Sequence, residues 1–166
     1  MSRVFWDTNL FVYFLEDYGP FSQMTKELRL RMLVRGDQLL TSTFTLGEIL
    51  VKPKERDDAE RCRQYEAAIS TVATLISLDV PAARVYASLR LDRSLTAPDA
   101  VQLACAASVG VDLFITNDLR LRNKQVAGIQ FIVPLDRVPL KGNYLLDSPA
   151  VLVYYLVHGS HYEPRT

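Results

Sequence analysis

Residues 97–118, APDAVQLACAASVGVDLFITND, indicate the fold class most clearly, because they contain a whole predicted helix and the strand after it. Ala97-Pro98-Asp99 is typical of a helix start, since proline is tolerated in the first turn, and Gly110 is a good helix end. Asp112–Thr116 follows as a short apolar strand. A helix joined by so short a turn to a strand is typical of α/β proteins.

The same alternation of strands and helices continues on both sides of this stretch. Further strands are predicted at Val4–Trp6, Gln38–Ser42, Leu75–Leu78 and Ile129–Val133. Helices are predicted to begin at Thr8 as a cap, to cover Ser22–Val34, to run over Thr45–Val51 with an end before Pro53, and to follow Pro81. Strands separated by helices indicate a parallel sheet covered on both faces. The predicted fold class is therefore α/β, with one domain at residues 1–140.

The last segment, residues 141–166, differs from this pattern. Turn signals at Lys141-Gly142-Asn143 and Asp147-Ser148-Pro149 alternate with strand-like segments at Tyr144–Leu146 and Val151–Val157. We interpret the segment as a C-terminal extension, a hairpin or an edge strand that packs on the core or at a subunit contact.

Length and composition describe an ordinary globular domain. The chain has 166 residues, 19 Lys and Arg against 19 Asp and Glu, and 49% hydrophobic residues, which excludes disorder as its main state and argues against a sequence-indifferent DNA coat. Cys62 and Cys105 stand far apart, which disfavours structural zinc and disulfides. Because neither a signal-peptide pattern nor a membrane-length apolar stretch is present, we expect a cytoplasmic protein without a membrane partner.

Residues 52–66 contain the densest mixture of charges in the chain, with five basic and five acidic side chains. Opposite charges four residues apart on a helix form ion pairs in water. We interpret this segment as a solvated helix surface rather than a binding site.

Several common chemistries have no motif in this sequence. The patterns GxGxxG, GxxxxGK[ST] and GxSxG are absent, and both histidines, His158 and His161, fall within the last nine residues. A histidine-based triad or zinc site is therefore disfavoured. Catalysis, if present, must depend on carboxylates.

Four acids stand out by their positions in the predicted fold. Asp7 ends the first strand, and Asp118 follows the strand at Asp112–Thr116. Glu48 lies in the helix after the second strand, and Asp99 lies in the first turn of the helix after residue 97. Ligands of open α/β sheets bind at the carboxyl ends of the strands, so we expect these four side chains to converge there.

A cluster of four carboxylates needs cations or protons. Two carboxylates ~4 Å apart repel by about 4 kcal/mol at an effective dielectric constant near 20. Oxygen ligands without imidazole or thiolate favour Mg²⁺ or Mn²⁺, and such ions can activate water against a phosphodiester. Each acid also has a simpler interpretation: Asp99 as a first-turn acid that favours the helix dipole, Asp7 and Asp118 as caps, and Glu48 as an exposed helix residue.

Taken together, these motifs resemble the PIN-domain family, and in particular the VapC-like ribonuclease toxins of type II toxin–antitoxin modules. The resemblance covers residues 3 to about 138 and rests on four motifs in order: Asp7-Thr8-Asn9, Gly47-Glu48-Ile49-Leu50, Ala97 to Ala104, and Thr116-Asn117-Asp118. It implies a Rossmann-like three-layer sandwich whose parallel sheet has the strand order 3-2-1-4-5. It also implies a metal-dependent endoribonuclease, commonly a homodimer inhibited by a small antitoxin protein.

The resemblance assigns roles to individual residues. It makes Asp7, Glu48, Asp99 and Asp118 the catalytic acids and the ligands of Mg²⁺ or Mn²⁺. Thr8, Thr116 and Asn117 stand beside these acids and would orient carboxylates or water. The extension from residue 141 departs from the family pattern, and Leu121 stands where many relatives have an aromatic residue.

The RNA substrate would be held by positive charge close to the acids. Arg120, Arg122 and Lys124 follow Asp118 directly and are candidates for contacts to RNA phosphates. Two alternatives to an antitoxin-regulated ribonuclease stay open from the sequence. One is a PIN-type nuclease that processes RNA or cleaves DNA without an antitoxin, and the other is a non-catalytic binding or receiver-like module.

Overall fold

A computed structural model describes residues 1–138, and the predicted extension at 141–166 lies outside the described residues. Five strands form one parallel sheet in the order β3-β2-β1-β4-β5, which confirms the predicted fold class. The strands are β1 (Arg3–Trp6), β2 (Gln38–Ser42), β3 (Thr74–Ile76), β4 (Val111–Ile115) and β5 (Ile129–Val133). The helices are α1 (Thr8–Leu15), α2 (Pro20–Arg35), α3 (Thr43–Glu55), α4 (Ala59–Val72), α5 (Val80–Leu89) and α6 (Ala97–Val109), and a short 3-10 turn covers Leu135–Arg137.

The sheet is covered on both faces, and β1 shows why. Its consecutive apolar side chains point to opposite faces of the sheet, as strand geometry requires. Trp6 packs into a core with Phe11 and Met32, whereas Phe5 packs into a second core and stacks on Phe114 of β4 at 5.3 Å between ring centroids. This double burial places β1 and β4 side by side at the centre of the sheet, so the residues that follow them meet at its carboxyl edge.

Several predicted boundaries were wrong. Helix α3 continues through Pro53 to Glu55, because the proline lies in the last turn and the Arg56 amide closes that turn by donating to the carbonyls of Lys52 and Pro53 at 3.3 and 3.2 Å. Strand β3 ends at Ile76 rather than at residue 78, since the chain already turns toward the cap of α5 at Asp79.

The third wrong boundary concerns the cap of α1. Asp7, not Thr8, is the N-cap residue, and its carboxylate accepts a hydrogen bond from the Thr8 amide. Strand β4 also starts and ends one residue earlier than predicted, whereas β2 and β5 have the predicted bounds. Within residues 1–138, the helices are all too short or too polar to span a bilayer.

Candidate active site

Asp7 lies at the centre of the carboxyl edge, where β1 ends and α1 begins. Its side chain is 9% exposed, and three donors surround it. The Thr8 amide lies 2.7 Å from Oδ1, while Asn9 Nδ2 and Thr116 Oγ1 lie 3.0 and 2.6 Å from Oδ2. Thr116 reaches Asp7 because β4 pairs directly with β1. The position and rotamer of this carboxylate are therefore fixed by the two central strands.

The charge of Asp7 is poorly compensated. The pKa of Asp7 is raised from 3.8 to about 6, mainly by burial and to a smaller degree by the negative charges of Glu48 and Asp99, while the hydrogen bonds from Thr116 and Thr8 lower it. A carboxylate that is desolvated and faces other acids favours a proton or a cation. Three of the four predicted acids thus share one electrostatic environment.

The carboxylate of Glu48, in α3, accepts hydrogen bonds from a buried polar network. Thr8 Oγ1 donates to Glu48 Oε2, and Gln102 Nε2 lies 2.8 Å from Thr8 Oγ1 and 3.4 Å from the same Glu48 oxygen. Gln102 Nε2 also lies 2.8 Å from Thr45 Oγ1, and Ser42 Oγ donates to Gln102 Oε1 at 2.6 Å. The network connects β2, α1, α3 and α6 under the acids, so it fixes the direction of the Glu48 carboxylate.

Two residues of this arrangement, Gln102 and Asn9, were not assigned a role from the sequence. Gln102 is 3% exposed and stands three residues after Asp99, on the same side of α6. A polar residue at that spacing in an otherwise apolar helix is the signal that would have identified it. Asn9 joins the two central loops: its amide nitrogen contacts Asp7 and Thr116 Oγ1, and its oxygen accepts from the Asn117 amide at 3.3 Å.

Asp99 begins α6 and has two kinds of contact. It forms a capping box with Thr96, whose hydroxyl donates to Asp99 Oδ2 at 2.6 Å, so the simpler interpretation as a helix-start acid describes part of its role. The same Oδ2 atom lies 3.3 Å from Arg120 Nη2. Its charge also contributes to the raised pKa of Asp7, so Asp99 belongs to the acidic edge as well as to the cap.

Asp118 lies in the loop after β4, where its amide donates to Thr116 Oγ1 at 3.0 Å. Arg120 Nε lies 3.0 and 3.1 Å from its two carboxylate oxygens, and Arg120 Nη2 donates to Oδ2. This guanidinium holds the pKa of Asp118 below its usual range. Asn117 Oδ1 instead accepts from the Leu135 amide at 3.0 Å, so Asn117 ties the loop after β4 to the chain after β5.

The three candidate RNA-binding cations have different surroundings. Arg120 contacts the acids Asp99 and Asp118. Lys124 pairs with Asp92 and also contacts Ser94 Oγ at 2.6 Å. Arg122 is partly buried, and its Nε has no hydrogen-bond partner among residues 1–138.

The residues at this edge suit a hard divalent ion by their chemistry. The available ligands are carboxylate oxygens, which Mg²⁺ and Mn²⁺ prefer, and Asp7 is a desolvated carboxylate on which the negative charges of Glu48 and Asp99 also act. Within residues 1–138, however, no three His, Cys, Asp or Glu side chains form a ready set of metal ligands. Asp118 and Asp99 are instead engaged by Arg120.

Comparison with known proteins identifies the family. The PIN domain profile matches residues 4–127, and the chain therefore belongs to the PIN-domain family, whose members are in general nucleases. A comparison with curated proteins gives no match.

Two solved structures share the fold. VapBC2 from Rickettsia felis, bound to a DNA fragment from its promoter, superposes with a TM-score of 0.64 at 13% identity, over 80% of this chain and 98% of that one. A toxin–antitoxin complex from Klebsiella pneumoniae superposes with a TM-score of 0.54 at 22% identity, over 76% of this chain and 94% of that one. At these identities the likeness is one of fold.

Proposed function

We propose that this protein is a metal-dependent endoribonuclease that cleaves RNA phosphodiester bonds and acts as the toxin of a toxin–antitoxin pair. The observation that carries the proposal is the buried Asp7 carboxylate at the carboxyl edge of a PIN domain, with Glu48 and Asp99 close enough to raise its pKa. A site that only bound a ligand would not need several acids against one another.

In this proposal the four acids Asp7, Glu48, Asp99 and Asp118 hold Mg²⁺ or Mn²⁺. A bound divalent ion would stabilise charge on the scissile phosphate and make a water molecule a better nucleophile. The chain's own residues provide the positioning: Thr116 and Asn9 orient Asp7, and Thr8 and Gln102 orient Glu48.

The antitoxin is proposed from the structural relatives. Both are toxin–antitoxin complexes, and each is covered almost completely by this chain. A small protein inhibitor, a homodimeric toxin and a cytoplasmic location follow from that assignment as parts of the same proposal.

Cleavage of labelled single-stranded RNA by the purified full chain tests the catalytic part. We expect cleavage with Mg²⁺ or Mn²⁺ and none in EDTA, and we expect Asp7→Asn to abolish cleavage while circular dichroism shows an unchanged fold. Activity in EDTA, or equal activity of the variant, would contradict metal catalysis at Asp7. Cleavage of single-stranded DNA but not RNA would instead favour the alternative of a DNA-cleaving PIN nuclease.

Expression in bacteria tests the toxin part separately. Induction of the wild-type chain is expected to stop growth, and co-expression of a short neighbouring reading frame is expected to relieve the arrest. The Asp7→Asn chain is the matched control and should leave growth unaffected. Unimpaired growth with soluble wild-type protein would contradict a toxin and leave a processing nuclease.

A further inference from the structure

Arg120 occupies an unusual place for a candidate RNA-binding residue. Its guanidinium lies between two of the proposed metal ligands, with Nε 3.0 and 3.1 Å from the oxygens of Asp118 and Nη2 3.3 Å from Asp99 Oδ2. Within residues 1–138, both ion pairs made by the four acids use this one arginine. Arg120 therefore provides the positive charge that balances this part of the acidic edge.

A guanidinium and a divalent ion compete for these oxygens. Arg120 takes both oxygens of Asp118 and shares Asp99 Oδ2 with Thr96. A metal ligand needs a free lone pair that points at the ion, and an arginine close to a doubly charged ion is also strongly repelled. Since the Arg120 side chain is 56% exposed, it is free to move away without disturbing the core.

We propose that Arg120 competes with the divalent ion for Asp99 and Asp118, and that it turns to an RNA phosphate once the ion has bound. The inference rests on the proposed function, because it assumes that these acids are metal ligands. It makes Arg120 a positioning residue in the metal-free protein and a phosphate contact in the loaded one.

The second half of the proposal follows from the chemistry of arginine. Its planar fork of N–H donors fits a phosphate as well as it fits a carboxylate, so the same side chain can exchange one anion for the other. Arg120 follows Asp118 by two residues, which keeps it beside the bond to be cut after it leaves the acids. Arg120 would then bind RNA most strongly when the metal is present.

Mn²⁺ binding, measured by titration calorimetry on the full chain without RNA, tests the competition. We expect Arg120→Ala to tighten Mn²⁺ binding about tenfold, because the ion no longer has to displace a cation. Arg120→Gln should act in the same direction and covers the case in which the alanine variant folds poorly. Arg63→Ala is the matched control, since it removes an arginine–glutamate ion pair on α4 and should leave Mn²⁺ affinity unchanged.

The outcomes separate the inference from the proposed function. Equal or weaker Mn²⁺ binding by both Arg120 variants would overturn the competition while leaving a metal-dependent nuclease intact. Absence of Mn²⁺ binding by the wild-type chain and both variants would overturn the inference together with the metal part of the proposed function. Tighter binding without any RNA cleavage would support the competition and contradict the nuclease.

RNA binding measured by fluorescence anisotropy tests the exchange of anions. Ca²⁺ replaces Mn²⁺ as an oxygen-binding ion, and a gel verifies that the RNA stays intact. With Ca²⁺ we expect Arg120→Ala to weaken RNA binding about fivefold. In EDTA we expect the loss to be less than about twofold, because without a metal ion the wild-type arginine stays paired with the acids. Equal losses under the two conditions would overturn the exchange, since an arginine with a purely structural or purely electrostatic role would not respond to the metal.

Discussion

Two regions of this protein are rich in carboxylates, and they differ in burial, in ion pairing and in the direction of the pKa shifts. At the start of α4, the N-cap residue Asp58 pairs with Arg61 at 3.3 Å and Glu60 pairs with Arg63, at exposed or half-exposed positions three residues apart. At the carboxyl edge of the sheet, Asp7 is buried, the charges of Glu48 and Asp99 act on it, and it forms no ion pair with any residue among 1–138. The pKa of Glu60 is lowered, whereas that of Asp7 is raised.

The difference indicates that position in the fold, and not local charge density, distinguishes the acids that we propose as functional. Residues 52–66 carry five basic and five acidic side chains, but they span the end of α3, a turn and the start of α4 rather than one helix surface, and the ion pairs Asp58–Arg61 and Glu60–Arg63 are spaced three residues apart. The acids at the edge come from four separate parts of the chain, and they lie along one edge because β1 and β4 are neighbours in the sheet and α3 and α6 pack beside it.

The largest expected effect is on catalysis. Glu48→Gln keeps the shape of the side chain but removes its charge, and we expect the rate of RNA cleavage to fall by about a hundredfold or more, because a metal ligand or a base is lost. Glu60→Gln is the corresponding change on α4 and should leave the rate unchanged. Similar rates for the two variants would show that the edge acids are not catalytic.

The next effect concerns the buried network beneath Glu48. Gln102→Ala removes hydrogen bonds to Ser42 and Thr45 and leaves a small cavity, so we expect a loss of about 2 to 4 kcal/mol in the free energy of unfolding measured with urea. Gln64→Ala removes an exposed side chain whose amide lies 3.2 Å from Glu60, and the loss should stay below about 0.5 kcal/mol. A cost as small as that of Gln64→Ala would mean that Gln102 does not hold the site together.

The third effect is the pH dependence of stability in EDTA. The pKa of Asp7 is about 6 in the folded protein, against an ordinary value of 3.8 in the unfolded chain. The folded state therefore binds the proton of the Asp7 carboxyl group more tightly than the unfolded state does. Stability from Asp7 is therefore fully present below about pH 4 and is lost as the pH rises through 6, by about 3 kcal/mol.

Asp7→Asn provides the comparison for this pH effect. The difference in unfolding free energy between the variant and the wild type should grow in favour of the variant from pH 4 to pH 7. Glu60→Gln should show the opposite sign, since a lowered pKa contributes stability at neutral pH that is lost on acidification. A pH-independent difference for Asp7→Asn would contradict the uncompensated charge at the edge.

The smallest effect belongs to the ion pairs of α4. Arg63→Ala should lower the melting temperature only slightly, and the decrease should disappear at about 0.5 M NaCl, since exposed pairs are screened by salt. A large decrease that persists in high salt would mean that this surface carries structure or function that its exposure does not suggest.

Much of the fold could be predicted from local patterns. The local sequence pattern predicted the bounds of β2 and β5, and the alternation of strands and helices predicted the α/β class. Both features depend on residues that are close together in the sequence. The end of α3 was predicted too early, before Pro53, because the sequence does not show that this proline lies in the last turn of the helix. In that turn the Arg56 amide still donates to the carbonyls of Lys52 and Pro53.

The candidate site was predictable in part for the same reason. Asp7 and Asp118 follow strands and Asp99 lies in a first helical turn, positions that are visible in the sequence, whereas Glu48 lies inside α3. Gln102 was missed because its partners are distant along the chain: Thr8 is 94 residues away and Ser42 is 60. The contact of Arg120 with Asp99 was missed likewise, since it depends on how the loop after β4 approaches the start of α6.

The central claim is that the acids at the carboxyl edge hold a divalent ion through Asp7. Titration of Mn²⁺ into the metal-free wild-type chain and into the Asp7→Asn chain, at neutral pH and without RNA, tests it most directly. We expect saturable Mn²⁺ binding by the wild type and none by the variant, with the fold of both verified by circular dichroism. Equal binding by the two proteins, or no binding by either, would contradict it.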